Sequence, residues 1–335
     1  MRRSPAHWTL PPPCGPDQYE LAIRATQFVG PLSLREGAYW ESRVAFKHIL
    51  IAVPTMAGLM KSKTATTLIL LMRQLTRAGI AAEYLNVDSS DIVYARNFFA
   101  REMLRLEALD GLLFVDSDMS FRPALVRKML NLGADVVATA YPKRTLDMDQ
   151  YSRAMAAAGG FSPEAKARAL ANTYNFTCVP SWTTPRPGKM QVVGGFAKMA
   201  AAGMGCTFIS RAALLAMIDG KVVEQRKDII DGDEQLAWGF FDCLKVGNIT
   251  LSEDFSFCYR WTHLLGRDLW VNVDETVTHL GDFNHEARYI DRLAKLEREA
   301  DAAQAAASRA PNSTGVDIDA DLIHVDADLI LDARP

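Results

Sequence analysis

The run GLLFVDSD, residues 111–118, sets two carboxylates, Asp116 and Asp118, one residue apart behind four consecutive apolar side chains. Side chains two apart on a strand share a face, so both carboxylates can meet one hard cation. One can also meet it directly and the other through water. A second reading makes the segment a polar strand-to-helix turn in which Asp118 or Ser120 caps the next helix. The apolar run leading into the pair favours the cation.

A strand that ends in carboxylates has to be held by its neighbours, and the flanking sequence supplies them. HILIAVPT (48–55) reads as a short buried strand stopped by Pro54. KTATTLILLMRQLTRAG (63–79) reads as a helix, with apolar residues at three-to-four spacing and a stop at Gly79. IAAEYLNV (80–87) is the next strand and DSSDIVYARNFFAREMLRLEAL (88–109) the next helix. GLLFVDSD follows as a strand, RPALVRKMLNLG (122–133) as a helix and ADVVATAYP (134–142) as a strand. Strand and helix alternate, and the strands are almost continuously apolar. This is the pattern of an α/β fold with a mostly parallel sheet flanked by helices on both faces, where ligands bind at the carboxyl ends of the strands. Asp116 and Asp118 lie at such an end.

The rest of the chain is less uniform. Residues 1–45 read as an arm, proline-rich at first, and 46–290 as the main domain. Within that domain, 145–200 form an irregular insertion or hairpin-bearing region with Gly-Gly pairs at 159–160 and 194–195. GMGCTFISRAALLAMI (203–218) reads as a strand and helix, SEDFSFCYRWTHLLG (252–266) as a helix, and LWVNVDETVTHLG (269–281) as one strand ending near a histidine. Residues 291–335 hold an exposed helix and an aspartate-rich tail in which DADLI occurs at 319–323 and 326–330. The tail lacks the glycine and glutamate of an EF-hand loop and reads as solvated, with an oligomer contact as its other use.

Composition narrows the classes. The 335 residues are 49% hydrophobic and 23% charged, which fits a soluble α/β protein. A net charge of -3 and a pI of about 6.1 argue against a phosphate-facing basic surface, so no nucleic-acid partner is expected. Five cysteines, odd in number and without a CxxC pair, read as reduced, buried thiols of a cytoplasmic protein. Prolines stand where a signal core would follow Arg2 and Arg3, and the most apolar run, TATTLILLM, is too short to span a bilayer, so no transmembrane segment is expected.

In chain order, HILIAVPT, SDIVYARN, LLFVDSDMSFRPALVRKML, GADVVATAYPKR, GMGCTFISR, SEDFSFCYRW and WVNVDETVTHLG resemble the blocks of the GT-A glycosyltransferase superfamily, in its inverting, DxD-containing, family-2-like form. The resemblance implies a GT-A (Rossmann-like) sheet over residues 46–290, with 145–200 on the acceptor side. It implies transfer of a sugar from a nucleotide-diphosphate sugar to the hydroxyl of a glycan or other acceptor. Mn2+ or Mg2+ on Asp116 and Asp118 would then act as Lewis acid on the diphosphate leaving group. The resemblance carries a third metal ligand onto His279, ahead of His285 and His263. It carries the general base onto Asp254, with Glu253 second. The nucleotide pocket falls on Asp88, Asp91, Arg96 and Asn97, with Pro54, Thr55, Asp116 and Ser117 facing it.

Each of these has a structural alternative. Ser252 is a good N-cap, and acids in a helix's first turn are favoured by its dipole by about 0.3–1 kcal/mol, which accounts for Glu253 and Asp254 without catalysis. Arg96 has no good surface partner on its own helix, since Ile92 is apolar and Glu102 too far along. GMGC (203–206) permits close backbone approach to a sugar, or a bulge. Trp261 and Tyr259 offer a platform for a sugar ring, or core packing.

Three other functions compete. Asp116-Ser117-Asp118-Met119-Ser120 also fits the string of haloacid-dehalogenase-like phosphatases, whose first aspartate is a nucleophile. That family carries it on its first core strand, whereas two strand–helix units precede it here. A nucleotidylyltransferase would need a glycine-rich loop where PTMAGLMKSK has a single glycine. A non-catalytic glycan-binding or assembly protein would have no reason to keep Asp116, Asp118, Glu253 and Asp254 together.

Overall fold

In the computed structural model the described residues are 46–157, 162–182, 190–230, 233–281, 284–290 and 292–293, with 301, 302 and 305. The expected arm at 1–45, most of the C-terminal helix and the aspartate-rich tail lie outside the described residues, as does Cys14.

Seven strands form one sheet: β1 (His48–Thr55), β2 (Ala81–Asp88), β3 (Gly111–Val115), β4 (Val136–Thr139), β5 (Phe196–Met199), β6 (Cys206–Ser210) and β7 (Leu269–Asn272), in the order β2-β1-β3-β6-β4-β7-β5. β1 runs parallel to β2 and β3, and β7 parallel to β4. β6 is antiparallel to β3 and β4, and β5 antiparallel to β7. The sheet is therefore mostly parallel, with β5 and β6 reversed. Along the strands inward of β2, which is itself largely exposed, the side chains alternate between two apolar layers. Ile49, Ile51 and Val53 pack with Leu68, Leu71 and Leu75 of α1 (Ser62–Arg77) and with Leu125 and Met129 of α3 (Ala124–Asn131). Leu50 and Ala52 pack with Phe99 and Met103 of α2 (Ile92–Arg105), Leu214 of α4 (Arg211–Asp219) and Phe257 of α5 (Glu253–Tyr259). Each fully buried Leu, Ile or Phe contributes about 1.5–3 kcal/mol, so these layers fix the sheet and its helices rigidly.

Several elements depart from the expected pattern. β1 continues through Pro54 to Thr55. Its pairing with β3 stops at Ala52, so beyond that point only β2 lies alongside and the missing proline N–H costs no bond to β3. The region 145–200 is more regular than expected, since it contains helices Met148–Ala157 and Pro163–Thr173 and the edge strand β5. The run 269–281 is not one strand. It divides into β7 and Val277–Leu280, and the second piece joins Met119–Phe121 and Asn284–Ala287 in a small antiparallel sheet. The break comes at a turn in which Asn272 Oδ1 accepts the Glu275 N–H at 3.1 Å and Lys128 Nζ holds both oxygens of Asp274, at 2.8 and 2.9 Å. A hairpin of Gln225–Ile230 and Asp233–Trp238 was not anticipated, although the Asp231-Gly232 pair between the two strands is a favoured hairpin-turn dipeptide. Cys178, Cys206 and Cys258 are buried, and burial pushes the Cys178 and Cys206 thiols up to about 12. Cys243, expected inside, is exposed in the loop ahead of α5. Among the described residues no helix is long and apolar enough to cross a membrane.

Candidate functional site

β3 ends at Val115, three residues earlier than its sequence suggests. The Asp116 N–H donates to the Gly205 carbonyl at 3.0 Å, and the Met119 N–H donates back to the Asp116 carbonyl at 3.1 Å, closing a turn over 116–119. The same-face geometry expected for Asp116 and Asp118 needs an extended strand, and the turn removes it. The carboxylates take different partners, Asp116 meeting Arg96 while Asp118 meets Arg144 and His279, although the Asp118 and His279 charges still reach Asp116. Among the described residues no three His, Cys, Asp or Glu side chains gather as a metal centre.

Arg96 reaches the site because Asp91 starts α2, accepting the Tyr94 N–H at 3.1 Å as N-cap. Its side chain lies over the Phe114 ring at 5.1 Å and the residue is only 3% exposed. Nη2 donates to both oxygens of Asp116, at 3.2 and 3.4 Å, and Nε donates to Glu253 Oε1 at 3.4 Å. Nη1 is buried without a hydrogen-bond partner among the described residues. Burial opposes the guanidinium charge, but Asp116, Glu253 and Asp254 outweigh it and hold the group firmly protonated. Burial also keeps the Asp116 carboxyl above its ordinary value, against the pull of Arg96. Arg96 thus ties the N-terminus of α5 to the tip of β3.

Asp254 follows Glu253 on α5. Burial, then the Glu253 charge beside it, push its carboxyl up to about 7, against the opposing effects of Ser252 and Arg96. Oδ1 accepts the Ser252 hydroxyl and the Phe255 N–H, the latter at 2.7 Å. Oδ2 has no hydrogen-bond partner among the described residues. Ser252 occupies the N-cap position, yet its hydroxyl makes no bond to the helix backbone and holds Asp254 instead.

Asp118 and His279 are brought together by the small sheet. The Leu280 N–H donates to the Asp118 carbonyl at 2.7 Å, and His279 stands opposite Met119. His279 Nδ1 donates to the Pro142 carbonyl at 3.0 Å, and Nε2 lies 3.4 Å from Asp118 Oδ2. The charged ring donates from both nitrogens, whereas the neutral ring turns the Nε2 lone pair toward that oxygen. Arg144 Nη1 approaches the same Oδ2 to 3.1 Å. Burial raises the Asp118 carboxyl, but the bond from charged His279 and the charge of Arg144 outweigh burial and hold it below its ordinary value.

The other expected residues make local structural bonds. Asp88 Oδ1 accepts the Gly58 N–H at 2.8 Å, and the Thr55 hydroxyl donates to the Val87 carbonyl at 3.3 Å while accepting from Asn86 at 2.8 Å. Asn97 is buried, with Nδ2 donating to Asp242 Oδ1 at 2.8 Å and Oδ1 accepting the Phe241 N–H at 2.9 Å. The Ser117 carbonyl accepts the Lys61 N–H at 2.9 Å, and Pro54 is buried in β1. Trp261 is a core residue whose Nε1 donates to the Asp268 carbonyl at 2.9 Å, and Tyr259 packs on Trp182 and His263. His285 is buried edge-on to Tyr174.

Two site residues went without a role in the sequence reading, although both lie in GADVVATAYPKR. Tyr141 is buried, with its ring edge-on to His279 at 5.4 Å, and its Oη accepts the Gly205 N–H at 3.0 Å. A Cβ on Gly205 would stand 2.7 Å from Tyr141 Cζ and Oη, so the glycine makes the room that this bond requires. Arg144 is the second. Their position just past the carboxyl end of β4, at the same sheet edge as Asp116, was the available signal.

No protein-family description matches the chain, and no curated protein matches it. Among solved structures, A197 from STIV is similar at 14% identity and a TM-score of 0.38, over 70% of this chain and 86% of that one. GalNAc-T7 with UDP, GalNAc and Mn2+ is similar at 10% identity and a TM-score of 0.33, over 80% of this chain. The match spans 52% of the GalNAc-T7 chain. With both TM-scores below 0.5, a functional reading has to come from the residues themselves.

Proposed function

We propose that residues 46–290 form a metal-dependent glycosyltransferase of GT-A type, which moves a sugar from a nucleotide-diphosphate sugar to an acceptor hydroxyl with inversion. One observation carries this reading: three segments far apart in sequence converge on the tip of β3. Arg96 joins Asp116 to Glu253, next to Asp254, and His279 meets Asp118. The Asp254 carboxyl at the same junction, raised by burial and by Glu253, suits proton exchange near neutral pH.

The residues fit a divalent cation held by two protein ligands. With His279 Nδ1–H given to the Pro142 carbonyl, the neutral ring presents Nε2 beside Asp118 Oδ2, one imidazole nitrogen and one carboxylate oxygen at one point. Mn2+ accepts such a mixed set, and Mg2+ is commonly held by one or two carboxylates with phosphate oxygens and water completing the shell. The ion, when bound, supplies Lewis-acid stabilisation of the leaving diphosphate.

The chain's own residues do the remaining work. Ser252 and the Phe255 N–H fix Asp254 through Oδ1, which leaves Oδ2 to take the acceptor hydroxyl proton. A carboxyl near 7 is well matched to that task at neutral pH. As the proton leaves, the acceptor oxygen attacks the anomeric carbon and the carbon–diphosphate bond breaks, its electron pair going to the diphosphate. Glu253, held by Arg96, sustains the raised Asp254 value. The strand Pro142–Leu146 leads from the site into 145–200, which we assign to the acceptor side.

Thermal-shift titration with UDP-, GDP-, CMP- and dTDP-sugars, with and without Mn2+, tests the reading. At least one donor should stabilise the protein only when metal is present. Asp254→Asn should still bind that donor and lose transfer. No response to any nucleotide, with phosphatase activity abolished by Asp116→Asn, would overturn it in favour of an aspartyl-phosphate mechanism.

A further inference from the structure

Asp118 Oδ2 is shared by two groups. His279 Nε2 lies 3.4 Å from it, and Arg144 Nη1 lies 3.1 Å from it. The two partners are linked through the strand Pro142–Leu146, because the carbonyl of Pro142 orients His279 and Arg144 follows two residues on, within the irregular stretch of that strand. Asp118 is mostly covered, with 20% of its side chain exposed, whereas the Arg144 side chain is 53% exposed and free to swing on its long stem. A cation entering between Asp118 and His279 competes with the guanidinium for the same oxygen. The arginine it displaces stays tethered beside the site, where its planar fork suits a diphosphate oxygen pair.

We propose that Arg144 is an exchangeable counter-ion that couples the two ligands of this site: it neutralises Asp118 until a divalent cation takes that carboxylate, then pairs with the diphosphate. The inference rests on the metal-dependent reading above and adds to it an energetic link between cation and nucleotide. Linkage requires the coupling to be reciprocal, so each ligand tightens the other by the same factor.

The test measures Mn2+ binding by electron paramagnetic resonance and UDP binding by calorimetry, on the full chain and without sugar turnover. In the wild-type protein UDP should tighten Mn2+ binding. Arg144→Gln should bind Mn2+ alone about two- to fivefold more tightly, the scale of a half-exposed ion pair, and should lose a similar part of the coupling to UDP. Arg144→Lys should keep much of the coupling, since it retains the charge. Lys198→Gln, which changes net charge equally but on the edge strand β5, where the lysine pairs with Asp268, should leave both quantities unchanged. Equal Mn2+ affinity and undiminished coupling in Arg144→Gln would overturn the inference while leaving the metal site intact. Absence of Mn2+ binding to every protein, with or without UDP, would overturn the metal-dependent reading and this inference with it.

Discussion

Arg96 donates from Nη2 to both carboxylate oxygens of Asp116, across 3.2 and 3.4 Å, from a position only 3% exposed to solvent. Removing the guanidinium leaves Asp116 and Glu253 close together with no counter-charge. Breaking a buried pair in this way costs about 3–5 kcal/mol. Arg96→Met should therefore lower the midpoint of urea unfolding markedly. Adding Asp116→Asn and Glu253→Gln should recover part of that loss, because the stranded charges are gone. A triple variant as unstable as Arg96→Met would show that packing, and not charge, sets the cost.

The raised Asp254 carboxyl predicts a pH profile. Its base form accumulates as pH rises through about 7, so kcat/KM should climb with unit slope below that value and level off above it. Glu253→Gln removes the second-largest cause of the elevation while burial remains, so the limb should move to lower pH without reaching the ordinary carboxylate value. A limb that stays in place would remove Glu253 from the account.

The same group sets a stability trend of opposite sense. Asp254 binds its proton more tightly folded, at about 7, than unfolded, at 3.8. Its contribution is complete below 3.8 and is lost as pH rises from there through 7. Denaturation of the wild-type protein and Asp254→Asn across this window should show the wild type losing more stability on the alkaline side. Parallel curves would mean that Asp254 titrates normally.

Asp118 and His279 should govern metal response. His279→Ala should weaken Mn2+ binding by at least the roughly 10–100-fold that loss of even an outer partner costs, and Asp118→Asn should abolish metal-dependent stabilisation by nucleotide. Chelation should return the wild-type protein to the unfolding temperature it shows with nucleotide alone. Unaltered Mn2+ affinity in His279→Ala would place the ion elsewhere.

Gly205→Ala tests the packing beneath the site. The new methyl would press on Tyr141 Cζ and Oη at 2.7 Å, and the ring cannot yield without moving against His279. Overpacking of this kind costs about 1–3 kcal/mol, measurable by chemical denaturation. Tyr141→Phe in the same background should relieve the contact with Oη and restore some stability.

The strand–helix alternation from His48 to Thr139 was legible because each element carries its own period, and the structure places β1, α1, β2, α2, β3, α3 and β4 along it. Direction was not legible: CTFIS is buried throughout, and a buried run says nothing of whether β6 lies parallel or antiparallel to β3. The break in 269–281 went unread although Asn272 offers a local turn signal, and its second support, Lys128, lies more than a hundred residues away in sequence. In the site, Asp116, Arg96, Glu253 and Asp254 were all named in advance, but not the bonds among them. Strand periodicity placed Asp116 and Asp118 on one strand face, whereas a turn anchored by the bond to Gly205 takes the place of the strand end, and the two carboxylates take different partners. Asp91 and Asn97 were read as pocket residues. In the structure they are the cap and the anchor on either side of Arg96. Tyr141 resembles any core aromatic until the glycine opposite it is seen.

The small sheet makes the presence of His279 a matter of parity. Side chains alternate along a strand, so Val277–Leu280 can lie against Met119–Phe121 in only two phases. In the observed phase His279 stands opposite Met119 and its ring falls beside Asp118. A slip of one residue would carry the imidazole to the opposite face. Backbone pairings on both sides of the strand, to Met119–Phe121 and to Asn284–Ala287, hold this phase, and the His279 bond to the Pro142 carbonyl agrees with it. A sequence change that let the strand slip by one residue would therefore remove the imidazole from Asp118 altogether.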